Sequence, residues 1–195
     1  MARWLGTIVL LVLLVPLAPT TPAHAQAAQR SLARASAEHL RVVTFSFATR
    51  GRIRTSVRTF KRQVRQTYAD QRGWRRAGVR FQEVRRHADL VVVLAEPRTV
   101  PSYSSGCSAY WSCRVGRFVV INQARWRFAT PPWNRAGRSL RDYRRLAVNH
   151  ETGHFLGHHH VGCPGRGRRA PVMMTQSKGL HGCRFNPWPT NAEVR

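Results

Sequence analysis

Residues 150–160 read HETGHFLGHHH, a run that permits few local folds because its histidines recur at fixed intervals. On an α-helix, His150 and His154 lie one turn apart on the same face, so both imidazoles can reach a single metal ion. Gly157 can adopt a positive φ, which ends the helix and turns the chain back. That turn brings in His160 as a third ligand. The spacing H-E-x-x-H-x-x-G-x-x-H therefore predicts a helix, a sharp turn and a zinc site.

The chemistry expected of this site is metal-assisted hydrolysis of an amide bond. Three neutral imidazoles leave zinc its double charge and one open position, which activates a bound water. Glu151 lies beside the ligands and can accept the proton of that water, then pass it to the leaving amine. A purely structural zinc does not need this carboxylate, so we predict one catalytic zinc with Glu151 as general base. One alternative is a protein that binds the metal but has no activity. In another, His158 or His159 is a fourth ligand or replaces His160. If neither is a ligand, His158 and His159 are expected to face solvent.

The first 25 residues have the features of a secretory signal peptide. Arg3 gives a positively charged start, residues 8–17 form an apolar run, and an Ala-His-Ala cleavage site ends at Ala25. The run is too short to span a bilayer comfortably, which favours cleavage after Ala25 over an uncleaved anchor. The mature protein is therefore expected to be secreted without a transmembrane segment, or to be held at the cell surface.

The chain beyond the signal peptide divides into a linker and one domain. Residues 26–38 are rich in Ala, Gln, Arg and Ser and lack a stable apolar stripe, so we predict a flexible linker. Residues 39–195 are then long enough for one domain with its own hydrophobic core. Apolar periodicity predicts strands over residues 40–47, 79–84, 90–94 and 117–122, and helices over residues 53–68 and 140–154.

These elements indicate an α/β (α+β) fold built on a mixed sheet. The continuous apolar run of residues 90–94 is typical of a strand at the centre of a sheet. Residues 117–122 are expected at a sheet edge, and residues 131–132, both proline, at a surface turn. Trp126 and Trp133 are expected to be core or loop-packing residues.

The cysteines support an extracellular location. Cys107, Cys113, Cys163 and Cys183 are even in number and fall into two local pairs, as expected in an oxidising compartment. Nearest-neighbour pairing, Cys107–Cys113 and Cys163–Cys183, needs the least rearrangement of the chain. The rival interpretation is zinc ligation by cysteine. It is disfavoured because no C-x-x-C spacing is present and three histidines already supply ligands.

The charge balance is extreme. The net charge of +25 arises from 33 basic and 8 acidic residues. One interpretation is attraction to an anionic partner, such as a surface polymer, lipid headgroups or nucleic acid. The arginines are evenly scattered along the sequence, which favours a second interpretation: they reflect Arg-heavy codon usage and lie on a solvated surface. No nucleic-acid-binding motif accompanies them. So few carboxylates also argue against a structural calcium site.

The expected partners follow from the site and the charge. We expect a peptide or protein substrate and, through the arginine-rich surface, an anionic polymer of the cell surface. No specific nucleic acid is expected. The protein is predicted to be a monomer.

The zinc motif is that of the metzincin metallopeptidases, and the resemblance extends beyond it. Metzincins have a methionine in a tight turn beneath the zinc, and the APVMM segment of residues 170–174 is similar to that turn, with Met173 as its methionine. The order of predicted elements is also similar, and the short interval from His160 to Met173 is most like the matrixin branch. The resemblance implies a metalloendopeptidase with the sheet above its cleft and an irregular, disulfide-held segment below. It also implies an extended substrate paired with the edge strand at residues 117–122.

A narrower resemblance is to a family of secreted or anchored actinobacterial proteins of unknown function that carry a metzincin-like zinc motif. It covers roughly residues 40–190. The chain departs from metzincins in having no tyrosine ligand after the methionines, no acidic calcium loops and no propeptide with a cysteine switch. The narrower resemblance rests on residues 149–154, 161–165, 171–174, 178–180 and 183–189.

Two alternative functions remain open. One is a non-enzymatic, zinc-stabilised module that binds an anionic polymer, and the other is a zinc amidase that acts on cell-wall peptide.

Overall fold

The computed structural model describes residues 40–195 and, before them, Gln26. The predicted signal peptide and the rest of the predicted linker lie outside the described residues. Three short 3-10 helices, Trp74–Ala77, Pro97–Tyr103 and Asn191–Glu193, accompany the main elements. The strands are β1 (Arg41–Arg50), β2 (Val79–Glu83), β3 (Leu90–Ala95), β4 (Cys113–Val115) and β5 (Phe118–Asn122), and the helices are α1 (Val57–Ala69), α2 (Gln123–Phe128), α3 (Pro131–Arg135) and α4 (Leu140–Phe155).

The five strands form one mixed sheet in the order β2-β1-β3-β5-β4. The first four in this order run parallel, and β4 pairs antiparallel with β5 through a short hairpin. The central position of β3 matches its unbroken apolar sequence, because a strand covered on both faces needs apolar residues on both. The predicted mixed fold and the central place of residues 90–94 are therefore confirmed.

The edge prediction was wrong. β5 lies between β3 and β4, so the predicted edge segment 117–122 forms an inner strand. The actual edge is β4, which is only three residues long and follows the Cys107–Cys113 disulfide. A strand this short carries no readable alternation of apolar and polar residues. Its pairing depends on the hairpin, which sequence periodicity does not describe.

The core lies between the sheet and the two long helices. α1 begins after Ser56, whose hydroxyl accepts a hydrogen bond from Thr59 N at 3.1 Å, and its buried stripe includes Phe60. Phe60 packs edge-on against Trp126 at 4.9 Å between ring centroids. Trp126 and Trp133 are 1 % and 0 % exposed, which confirms that both belong to the core.

Residues 131–132 open helix α3 and do not form the predicted surface turn. Proline is compatible with the first turn of a helix because the backbone N–H that it lacks has no partner there. Trp133 follows on the same short helix, and its indole N–H donates to Ser139 O at 3.0 Å. The helix therefore anchors a core residue just before α4 begins.

The chain after α4 is held by cross-links and loop hydrogen bonds. Among the described residues beyond Phe155 there is no α-helix or extended strand, as predicted for an irregular C-terminal segment. The disulfides Cys107–Cys113 and Cys163–Cys183 confirm the predicted pairing, and no cysteine is free. No helix in the described part of the chain is long and apolar enough to cross a membrane.

Candidate metal centre and cleft

Helix α4 carries the first two histidines and has well-formed ends. Its N-cap is Ser139, whose hydroxyl accepts from Asp142 N at 3.1 Å. At the other end Gly157 has a φ of 101°, and the N–H of His158 donates to Gly153 O at 2.9 Å. This closing bond is that of a Schellman motif, which reverses the chain directly after the helix. The turn predicted at Gly157 is thus present.

The reversal brings the three predicted ligands together. Their nearest ring nitrogens all lie within 4.8 Å of one another, and the Nε2 of His160 is 3.2 Å from that of His150 and 3.1 Å from that of His154. Tetrahedral zinc with ligands at about 2.0–2.1 Å requires ligand atoms about 3.3 Å apart. Two of the three separations are close to that value, and the third is no longer than 4.8 Å, so the three imidazoles could hold one metal ion.

The outer ring nitrogens of the helical histidines define their tautomers. The Nδ1 of His150 lies 2.7 Å from Val172 O, and the Nδ1 of His154 lies 2.9 Å from His158 O. A carbonyl only accepts, so each Nδ1 carries the proton and each Nε2 presents a lone pair to the cluster. Two lone pairs that converge on His160 Nε2 cannot both be satisfied by one ring proton. A bound cation satisfies all three rings.

Burial favours the neutral, ligating form of these rings. Desolvation lowers the pKa of His150 to about 4, and it also lowers the pKa of His154 and of His160. The neighbouring rings contribute in the same direction for each residue. Each shift favours the unprotonated imidazole, which is the form that binds a metal.

Glu151 is oriented toward the cleft and not into the core packing. Its side chain is 7 % exposed, and no described residue donates a hydrogen bond to its carboxylate. Desolvation raises its pKa to about 8, and the positive charge of Arg114 partly opposes the shift. A carboxyl group that titrates near neutrality can both take up and release a proton, as a general base and acid must.

Met173 is 1 % exposed and packs against helix α4 at Gly153. A Cβ placed at Gly153 would overlap the Met173 sulfur and lie 2.7 Å from Trp74 Cζ2. Glycine at position 153 therefore allows the methionine turn to approach the helix closely. The Trp74 indole donates to Asn149 O at 2.9 Å, and the ring of His158 stacks on it with a centroid distance of 4.5 Å.

The stacking of His158 corrects one prediction. His158 is half-buried against Trp74 and does not face solvent, because its backbone must also approach α4 to accept from His154. His159 is exposed, as predicted. Neither ring joins the cluster of three among the described residues, so the geometry provides no fourth protein ligand.

Glu193 is a part of the site that the sequence interpretation missed. Its buried carboxylate accepts from Val172 N at 3.0 Å and from Met173 N at 2.8 Å. It also accepts from Thr190 N and Oγ1 at 2.7 and 2.8 Å, forming a capping box. Since Val172 O in turn accepts from His150, the carboxylate fixes the segment that orients a metal ligand. The T-x-x-E spacing of Thr190 and Glu193 was the only sequence signal for it.

A cleft of about 360 Å³ runs past the three histidines and Glu151. One wall is β4 with the loop stapled by Cys107–Cys113, another is α4 with Tyr143 and Leu146, and the third is residues 174–178. Tyr143 Oη and Ser177 Oγ share a hydrogen bond of 3.0 Å across the last two walls. Apart from histidine, the charged or ionisable lining consists of Arg114, Glu151, Lys178 and Tyr143.

Comparison with known proteins adds a family but no activity. A family described as "Protein of unknown function (DUF3152)" matches residues 33–183. No curated protein and no solved structure matches the chain. The matched range contains the histidine cluster, Glu151 and Met173, and it ends before Glu193. Because the match covers well over half of the 195 residues, the chain belongs to the DUF3152 family.

Proposed function

We propose that this protein is a secreted, metzincin-like zinc metalloendopeptidase. His150, His154 and His160 would hold one zinc ion, and Glu151 would act as general base. The observation that carries the proposal is the convergence of three Nε2 atoms within 4.8 Å beside a carboxylate that lines the same cleft. A structural zinc accounts for the histidines but not for an unpartnered carboxylate beside them.

When bound, zinc supplies a Lewis acid that polarises the scissile carbonyl and makes water more acidic. The carboxylate of Glu151 takes the proton from the attacking water as the new C–O bond forms. It then delivers that proton to the amide nitrogen as the C–N bond breaks, so the products are a carboxylate and an amine. In the metal-free chain desolvation raises the pKa of Glu151 to about 8, and a neighbouring zinc ion would lower it again and favour the carboxylate that accepts the proton.

The substrate backbone is proposed to bind along the edge strand β4. This strand borders the cleft, and only one of its edges is paired, with β5. The free edge can add an extended peptide as a further strand, which aligns an amide bond with the metal centre. This replaces the role expected for residues 117–122, which lie inside the sheet.

Other features agree with the metzincin-like assignment and with secretion. Met173 lies beneath the metal-binding helix in a turn that follows the third histidine, as in that class. Two disulfides without a free cysteine suit an oxidising environment outside the cytoplasm. The substrate is proposed to be a peptide or protein, and the protein a monomer.

The proposal is tested with Glu151→Gln and His154→Ala, using Glu83→Gln as a control on the surface strand β2. We expect wild type and Glu83→Gln to bind zinc and cleave an unbiased peptide library. Glu151→Gln should keep zinc and lose cleavage, whereas His154→Ala should lose both. A zinc-stabilised binding module would be unaffected by Glu151→Gln, and a cell-wall amidase would cleave cell-wall peptide but no library member.

A further inference from the structure

A second cavity, of about 670 Å³, shares no lining residue with the metal cleft. Its walls come from the 3-10 helices near positions 76 and 191 and from the irregular segment after α4. Among residues 40–195, no aspartate or glutamate lines it. The basic residues that line it are Arg72, Arg76, Arg168, Arg169 and Arg184.

Two of these arginines are held in place by other groups. Arg72 pairs with Asp70 at 2.8 Å, and its guanidinium lies 4.5 Å over the ring of Trp188. Arg76 donates to Pro189 O at 3.1 Å and to Asn191 Oδ1, both uncharged oxygens. The charge of Arg76 is therefore not balanced, and its remaining N–H groups are available.

The other three arginines project from two paired backbone segments. Arg169 and Arg184 are partners in a parallel bridge, and hydrogen bonds from Arg184 N to Arg168 O at 2.8 Å and from Ala170 N to Arg184 O at 2.9 Å hold it. The Cys163–Cys183 disulfide anchors the same region. No described carboxylate lies within 4.0 Å of the guanidinium groups of Arg168, Arg169 or Arg184.

We propose that this cavity binds a phosphate-bearing anion, specifically a ligand with two or more phosphate groups. Four guanidinium groups without an acidic partner surround it, and the guanidinium fork matches phosphate oxygens in a bidentate way. The volume of about 670 Å³ lies in the usual range for small-ligand sites and exceeds the need of a single phosphate. The bridge and the disulfide hold the backbone of Arg169 and Arg184 in place before binding. The site shares no lining residue with the metal cleft.

The first test is calorimetric titration of the full chain with pyrophosphate at a constant ionic strength of about 0.15 M. The cavity variant carries Arg168→Gln, Arg169→Gln and Arg184→Gln. The control variant removes the same charge through Arg58→Gln, Arg62→Gln and Arg85→Gln, which are exposed and lie outside the cavity. We expect the cavity variant to bind at least about tenfold more weakly and the control to stay within about threefold of wild type.

Three results would overturn the proposal. Equal weakening in both triple variants would indicate diffuse attraction to the whole basic surface. Unchanged binding in the cavity variant would mean that the anion binds elsewhere, for example at the metal centre. Pyrophosphate binding no tighter than sulfate would exclude phosphate recognition. Circular dichroism checks folding, and the single change Arg169→Gln replaces the triple variant if that variant unfolds.

A second arm identifies the source of the phosphate. Sedimentation with vesicles that contain cardiolipin, a lipid with two phosphate groups, compared with phosphatidylcholine vesicles, reports binding to a membrane surface. Co-sedimentation that pyrophosphate competes away and the cavity variant loses supports a lipid phosphate as ligand. Pyrophosphate binding without co-sedimentation supports a soluble ligand. Co-sedimentation that persists in the cavity variant contradicts a role for this site.

Discussion

The sulfur atom of Met173 lies against Gly153 so closely that a methyl group at position 153 would overlap it. The side chain of Met173 thus packs against helix α4 at a position where only glycine leaves room for it. Trp74 closes the same gap from a third side, at 2.7 Å from the position of that methyl group. This contact links the stability of the fold to the position of the ligands.

Gly153→Ala is therefore expected to destabilise the protein. Alanine favours a helix by about 1 kcal/mol over glycine, but overpacking a core costs roughly 1–3 kcal/mol. Here the side chains that must move, Met173 and Trp74, are both buried and have little room to relax. Urea denaturation should show a lower free energy of unfolding. Gly162→Ala is the control, since nothing lies within 4 Å of its added Cβ. Equal stability of the two variants would contradict the close packing.

Glu193→Gln should weaken zinc binding although Glu193 is not one of the proposed zinc ligands. The carboxylate accepts four hydrogen bonds, and an amide would turn its N–H₂ group either toward the N–H of Met173 or toward the donors of Val172 and Thr190. The loosened turn would no longer orient His150, and the loss of such an outer partner typically costs about 10–100-fold in metal affinity. Chelator competition measures that affinity, with Glu83→Gln as control. A lower melting temperature with unchanged zinc affinity would show a purely structural role.

The cleft should favour acidic substrates. Arg114 on β4 and Lys178 on the opposite wall both line it, and Glu151 is the only carboxylate that does so in the described part of the chain. If the protein is the proposed peptidase, peptides with Asp or Glu beside the scissile bond should be cleaved more efficiently than Gln or Asn versions. Arg114→Gln should reduce the ratio of kcat/KM for the acidic peptides to kcat/KM for their amide versions by about threefold or more. An unchanged ratio would mean that Arg114 does not determine this specificity, whatever the total activity.

The metal-free protein should lose stability as pH rises, because of Glu151. Desolvation raises the pKa of this group from 4.5 to about 8, so the native state holds the proton more tightly than the unfolded chain. The stabilisation is present below about pH 4.5 and is lost as pH rises through about 8. Glu151→Gln cannot ionise and should lack this loss.

Urea denaturation of both metal-free proteins at about pH 5 and about pH 9 measures the difference. The free energy of unfolding of the wild type should fall relative to that of Glu151→Gln at the higher pH. The lowered pKa of His150 acts in the opposite direction at acidic pH, but it does so in both proteins and cancels in the comparison. Parallel stability curves would mean that Glu151 is better solvated than its burial indicates.

The parts of the molecule that sequence predicted are the local ones. The spacing of His150 and His154 follows from helix geometry, Gly157 supplies the turn, and each disulfide joins cysteines that are neighbours in the chain. The apolar run of β3 likewise identified the centre of the sheet. In each case a few adjacent residues determine the structure.

The missed features depend on contacts between distant residues. β4 is a strand only because it pairs with β5, and its three residues have no pattern of their own. Glu193 reaches Met173 from 20 positions away, and His158 stacks on a tryptophan far earlier in the chain. Such contacts follow from tertiary packing, which periodicity and spacing do not encode.

The most direct test of the account is the metal content and coordination of the purified wild-type protein. Elemental analysis should find about one zinc per chain, and X-ray absorption should show three imidazole nitrogens at about 2.0 Å with a fourth, non-protein ligand. Removal of zinc should abolish peptide cleavage, and its return should restore it. A chain that binds no zinc, or a zinc closed by four protein ligands, would contradict the account.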